Sequence, residues 1–204
     1  ANAYIRDSLQ FTVFLSCGMA FGIIAIASRF IPFFYGPGYE ESILLLQCLA
    51  PVLILSSWKS VLRTQCLIPR GKDRSYIISV FLGAIINLII NGVLIPKIGS
   101  LGAAIGTIAA ELCVCIYQTY AVKDLLPLSI YFKDNWSFVI SGIAMIGCLE
   151  LVQRFLTDSI KSIIEMVLIG ALIYCVIGIG MMALTNKQRL KMCYSFISKK
   201  VGKQ

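Results

Sequence analysis

The chain has 204 residues, 58% hydrophobic and only 14% charged, with a formal net charge of +8 and no histidine. Soluble domains hold about 25% charged residues, so a water-soluble globular fold is excluded. Without histidine, His-dependent catalytic triads and His-containing zinc sites are excluded as well.

Taken in chain order, six apolar stretches occupy residues 9–32, 43–62, 76–95, 101–122, 136–156 and 160–184. Each is long enough to cross a hydrocarbon core ~30 Å thick at ~1.5 Å per residue. Backbone groups cannot stay unpaired in lipid, so each stretch is expected to be helical. The expected fold class is all-α, a polytopic membrane protein with six transmembrane helices.

The first gap, 33–42, holds Gly36-Pro37-Gly38, a tight turn. The second holds the basic turn Pro69-Arg70-Gly71-Lys72-Asp73-Arg74. Pro96-Lys97-Ile98-Gly99-Ser100 reads as a very short hairpin, which makes the third and fourth helices antiparallel neighbours. The gap 123–135 is longer, contains Pro127, and separates four helices from a final pair. Beyond residue 184, Leu190, Cys193, Tyr194, Ile197 and Val201 recur at helical spacing among lysines and arginines. That tail reads either as an amphipathic helix on the inner leaflet or as a basic tail that enforces topology.

The charge is unevenly distributed. With the N-terminus inside, Arg6, Arg63, Arg70, Lys72, Arg74, Lys123 and the basic tail all fall on one side. The opposite side holds few cations, Arg29 and Lys97 among them. This fits an N-in, C-in segment by the positive-inside rule and argues against nucleic acid as a partner. The eight cysteines lie mostly within spans, where thiols act as small apolar fillers. No disulfide, structural metal or cofactor is expected. Trp58, Trp136, Tyr76, Tyr120 and Tyr131 fall near span ends, as an interfacial aromatic belt requires. The chain opens at Ala1, and the expectation is a C-terminal piece of a longer protein.

Polar groups inside spans are costly and turn toward a bundle interior or a wet cavity. The third helix carries Ser79, Gly83, Asn87 and Asn91 at successive four-residue steps, one polar or small stripe. The fourth carries Thr107, Glu111 and Gln118 on one face, with Gly102, Ala103, Gly106 and Ala110 permitting close approach. Asn87 and Glu111 lie at matching depth and are expected to face each other. Either they pair two helices or they line a transport pathway, with Glu111 protonatable. Arg29, Lys59 and Arg63 lie near span ends. They either snorkel to headgroups or form a cationic lining for an anionic substrate. Gln47 and Pro51 face a cavity in the same reading, and Pro51 should kink its helix. No catalytic constellation emerges, so the chain is expected not to be an enzyme.

The stretch 33–123 resembles the C-terminal half of polysaccharide-repeat-unit flippases, the O-antigen and capsule exporters of the MATE-like MOP transporter superfamily. The residues that carry this are Phe33-Phe34-Tyr35-Gly36-Pro37-Gly38-Tyr39-Glu40, Leu44-Leu45-Leu46-Gln47 and Ala50-Pro51. They continue with Gln65-Cys66-Leu67-Ile68-Pro69-Arg70-Gly71-Lys72, Gly83-Ala84-Ile85-Ile86-Asn87-Leu88 and Asn91. Leu94-Ile95-Pro96-Lys97, Gly99-Ser100-Leu101-Gly102-Ala103-Ala104-Ile105-Gly106-Thr107 and Ala110-Glu111 complete the set. The resemblance implies two six-helix lobes around a central cavity, often with two further helices. Residues 1–122 would then be four helices of the C-terminal lobe, 123–184 a peripheral hairpin and 185–204 a basic cytosolic tail.

The implied function is flipping of undecaprenyl-pyrophosphate-linked oligosaccharide across a bacterial cytoplasmic membrane by alternating access. The pathway lining would include Arg29, Gln47, Lys59, Arg63, Asn87, Asn91, Thr107 and Glu111. The implied partners are the lipid-linked oligosaccharide, membrane lipids and an N-terminal lobe of the same protein. A coupling ion is left open. Competing readings are a relative that moves lipid II or drugs, and a membrane-embedded glycan polymerase or ligase.

Overall fold

The computed structural model describes residues 2–156 and 159–185. Seven helices make up the described architecture: α1 (Asn2–Tyr35), α2 (Glu40–Leu49), α3 (Val52–Leu62), α4 (Asp73–Ile98), α5 (Ser100–Ala121), α6 (Leu128–Val152) and α7 (Ile160–Thr185). Helices α2 and α3 belong to one interrupted span, so six membrane-length segments result, as expected from the apolar runs. The basic tail lies outside the described residues.

Pro51 explains the interruption of the second span. It has no N–H to give the Gln47 carbonyl, and its ring crowds that carbonyl. Helix α2 therefore stops at Leu49 and α3 starts at Val52. Ala50 and Leu53 carry hydrogen bonds across the joint, to Leu46 and Ala50 respectively, at 3.0 and 3.1 Å. At its far end the span loosens into a π turn, Arg63–Leu67, then tightens into a 3-10 turn, Ile68–Arg70. Gly71, at φ +66°, ends it in the left-handed conformation that glycine adopts without steric cost.

Several boundaries differ from the sequence expectation; α1, for one, runs from Asn2 to Tyr35 rather than over 9–32. Helix α4 runs through Pro96 to Ile98 rather than ending in a proline turn. Pro96 withholds an N–H from the Gly92 carbonyl, but the helix continues for only two residues beyond it. The α4–α5 connection is thus shorter than expected, a single Gly99 at φ +57°. Helix α6 starts at Leu128, directly after Pro127, well ahead of the apolar stretch at 136. Proline suits a helix start, where its missing N–H would be unbonded anyway.

The packing is inverted relative to a soluble protein. Of α4, only Ser79 and Gly83 are buried, while Phe81, Leu88 and Ile89 are 67%, 74% and 60% exposed. Such a surface is unstable in water and suits hydrocarbon or another apolar surface. The apolar interior lies among α1, α3, α6 and α7, around Leu9, Cys17, Leu62, Phe138, Met145 and Met166. Helices α4 and α5 pack along their length on one side, with α5 resting on α3. The α6–α7 pair packs on α1. There the Tyr174 hydroxyl donates to the Phe14 carbonyl at 2.7 Å, and Phe14 meets Phe138 edge-on at 5.2 Å.

Candidate functional site

The one-residue turn at Gly99 forces α4 and α5 together, and small residues set how closely they approach. A Cβ on Gly102 would stand 2.6 Å from the Leu94 carbonyl carbon and 2.8 Å from the Ile95 nitrogen, so the backbones are in contact there. One turn deeper, Gly106 accommodates the amides of Asn91 and Asn87. Asn91 Nδ2 donates to Asn87 Oδ1 at 2.9 Å. Deeper still, Gly83 leaves room for Val114. At the basic end, Gln118 Nε2 donates to Ser79 Oγ at 3.0 Å, and Ser79 donates onward to the Tyr76 carbonyl at 2.6 Å. The polar stripe of α4 is thus turned inward onto α5. Thr107 lies on the same helix pair, but its hydroxyl donates to its own Ala103 carbonyl at 3.0 Å.

Glu111 does not pair with Asn87. Its carboxylate forms an ion pair with Lys59 of α3, both side chains half-buried. The expected pairing fails on the direction around α5. Asn87 points at Gly106 between α4 and α5, whereas Glu111 points toward α3. Lys59 likewise does not snorkel to the headgroups, because an unpaired carboxylate within the span is the better partner. Next to Lys59, Trp58 is only 6% exposed and its Nε1 donates to Thr119 Oγ1 at 2.9 Å. Trp58 therefore belongs to the bundle interior rather than the aromatic belt. A buried indole N–H needs an acceptor, and Thr119 provides it.

The other candidates stand apart from this pair. Arg29 Nη2 donates to the carbonyls of Gln153 and Leu156, the latter at 3.1 Å. These lie at the C-terminal end of α6, where a cation meets the negative pole of the helix. Arg29 also lines a cavity of about 250 Å³ with Ser28, Phe33 and Ser159. Gln47 Nε2 donates to the Ile24 carbonyl of α1 at 3.1 Å. The Arg63 guanidinium, at the start of the π turn, lies 5.6 Å from the Tyr76 ring centre. The structure therefore brings together Lys59 with Glu111, and Asn87 with Asn91. It places Arg29, Gln47 and Arg63 at separate contacts.

Two contacts were not anticipated from sequence. Lys72 Nζ donates to the Ala121 carbonyl at 2.8 Å, fastening the basic turn to the end of α5. Its signal was a lysine one helical hairpin away from a helix C-terminus, which sequence spacing alone does not join. Lys123 sits 4.0 Å from the Tyr120 ring centre, and contact with that side chain raises its pKa.

Among the described residues these contacts are ion-pair and hydrogen-bond contacts. The assembly offers an intramembrane cation held by a carboxylate, an amide pair between two close helices, and cations at the basic end.

Comparison with known proteins agrees at the level of architecture. The structure of "Lipid II flippase MurJ, inward closed conformation" superposes with a TM-score of 0.74 over 93% of this chain and 40% of the flippase chain, at 20% sequence identity. The fold is shared with a flippase. An uncharacterized membrane protein of Methanocaldococcus jannaschii is 30% identical over 125 residues, 59% of this chain and 24% of that protein. The chain thus spans well under half the length of either relative. No protein-family model matches.

Proposed function

We propose that this chain is part of a transporter that flips lipid-linked oligosaccharide, carried on undecaprenyl pyrophosphate, across the bacterial cytoplasmic membrane. The observation that carries this reading is the flippase fold, together with a polar interior built on α3, α4 and α5. The segment is oriented N-in and C-in, with its basic end toward the cytosol. The four helices α1 to α5, counting the interrupted span once, act as a lobe that rocks against a second lobe. Helices α6 and α7 stand beside it as a peripheral pair.

In this reading Lys59, Arg63, Asn87, Asn91, Thr107 and Glu111 face the route. An entering pyrophosphate competes with Glu111 for Lys59, so substrate binding loosens the tie between α3 and α5. Asn87 and Asn91 offer amide hydrogen bonds to sugar hydroxyls. Arg29 and Gln47, engaged by backbone carbonyls, hold helices in place. The fold likeness equally favours lipid II as the cargo, since both cargos share the polyisoprenyl pyrophosphate and a saccharide.

The test is deletion of the gene followed by localisation of lipid-linked saccharides. Accumulation of repeat units on the cytosolic face, with peptidoglycan synthesis intact, is expected. Accumulation of lipid II instead would assign the second cargo. Correctly flipped but unpolymerised units would overturn the transport reading. Arg63→Ala is expected to lower export at normal protein level.

A further inference from the structure

Helices α5 and α6 are consecutive in sequence but scarcely touch. The segment 122–127 turns aside, so that α5 rests on α3 and α6 rests on α1. Between them opens a cleft of about 590 Å³. Cys17, Trp58 and Cys115 line it, and all three are buried; Leu112, Ile116 and Val139 add further apolar lining. Trp58 cannot present its N–H to the cleft, because that group is bonded to Thr119. Toward the basic end the cleft is bordered by Tyr120, Lys123 and Trp136. The two aromatic residues are 65% and 64% exposed, and the Lys123 ammonium lies against the Tyr120 ring.

An apolar void of this size forfeits dispersion contacts on every wall unless something fills it. The cleft lies between membrane-spanning helices, where a hydrocarbon chain of the bilayer is a filler at hand. Exposed Trp and Tyr mark the headgroup level, and a cation stands at that level. Lys123 therefore complements a phosphate. The eight residues considered above for the transport route do not line the cleft.

We propose that the α5–α6 cleft is a binding site for an anionic phospholipid, with one acyl chain lying against Cys115 and Ile116 and the phosphate on Lys123. The site wedges apart two helices that would otherwise collapse together. It requires only that the helices span a bilayer, and it stands whether or not the transport reading holds.

Native mass spectrometry of the purified full chain tests this, with phosphatidylglycerol or phosphatidylcholine titrated into detergent. Preferential retention of phosphatidylglycerol is expected. Lys123→Gln, on an exposed side chain, should weaken that retention about fivefold, the effect of one cation near an anionic headgroup. Phosphatidylcholine binding should weaken less, because its choline cation offsets the phosphate that Lys123 meets. Ile116→Trp, at a 66% exposed position, should lower retention of both lipids by filling the cleft. Wild-type phosphatidylglycerol binding in Lys123→Gln would overturn the proposal. So would displacement of phosphatidylglycerol by a lower concentration of undecaprenyl phosphate, which would assign the cleft to a polyisoprenyl chain. If Ile116→Trp loses the native elution profile, Lys123→Gln decides alone.

Discussion

Lys59 on α3 and Glu111 on α5 form an ion pair within the membrane-spanning bundle. Removing either charge leaves the other uncompensated where water is scarce. We predict that Lys59→Met and Glu111→Gln each destabilise the chain, and that the double variant loses less than their sum. The coupling should be about 1–3 kcal/mol, the range for contacting residues. A double-mutant cycle of thermal unfolding in detergent measures it. An additive cycle would show that the two charges act independently.

Gly102 and Gly92 predict opposite outcomes for one substitution. A Cβ at Gly102 would strike the α4 backbone, which cannot yield as a side chain does. Gly102→Ala should cost about 1–3 kcal/mol, as overpacking does. Around Gly92 nothing lies within 4 Å. Gly92→Ala should therefore be neutral or stabilise by up to about 1 kcal/mol through helix propensity. Unfolding midpoints of the two variants check the contrast.

Ser79 should matter more than Gln118, although the two share a hydrogen bond. Gln118 Oε1 is buried with no hydrogen-bond partner among the described residues. Gln118→Leu removes a bond worth ~0.6 kcal/mol in membrane proteins, but also removes that unmet acceptor. Ser79→Ala leaves the buried Gln118 amide without its acceptor, at a cost of about 1–3 kcal/mol. Equal stabilities would contradict this ranking.

Arg29 is expected to act as a fastener. Arg29→Met should lose about 1.5–3 kcal/mol, the worth of hydrogen bonds to a charged group. Arg29→Lys should recover part of it, since an ammonium lacks the planar reach to two carbonyls. Export per folded molecule should be unchanged in Arg29→Lys. A drop in export at normal stability would place Arg29 on the route.

Length and apolarity made the six spans legible, because a bilayer leaves a backbone few alternatives. The antiparallel α4–α5 pair followed from a connection too short for any other arrangement. Azimuth around a helix was not legible. Whether Glu111 meets Asn87 or Lys59 depends on which flank of α5 receives α3, and no local pattern encodes that. Trp58 was misplaced for a related reason: a tryptophan near a span end suits an interface or an interior equally well until its N–H partner is known. Pro127 moved a boundary because proline suits a helix start.

The π turn at Arg63–Leu67 holds one residue more than an α turn of the same height. Most of a transmembrane rod has no slack, since losing a residue swings everything beyond it by about 100°. Here a deletion could be absorbed by tightening the wide turn into a regular one, with Trp58 and Lys59 still aimed at Thr119 and Glu111. Natural variation in chain length within the second span should accordingly concentrate at these five positions.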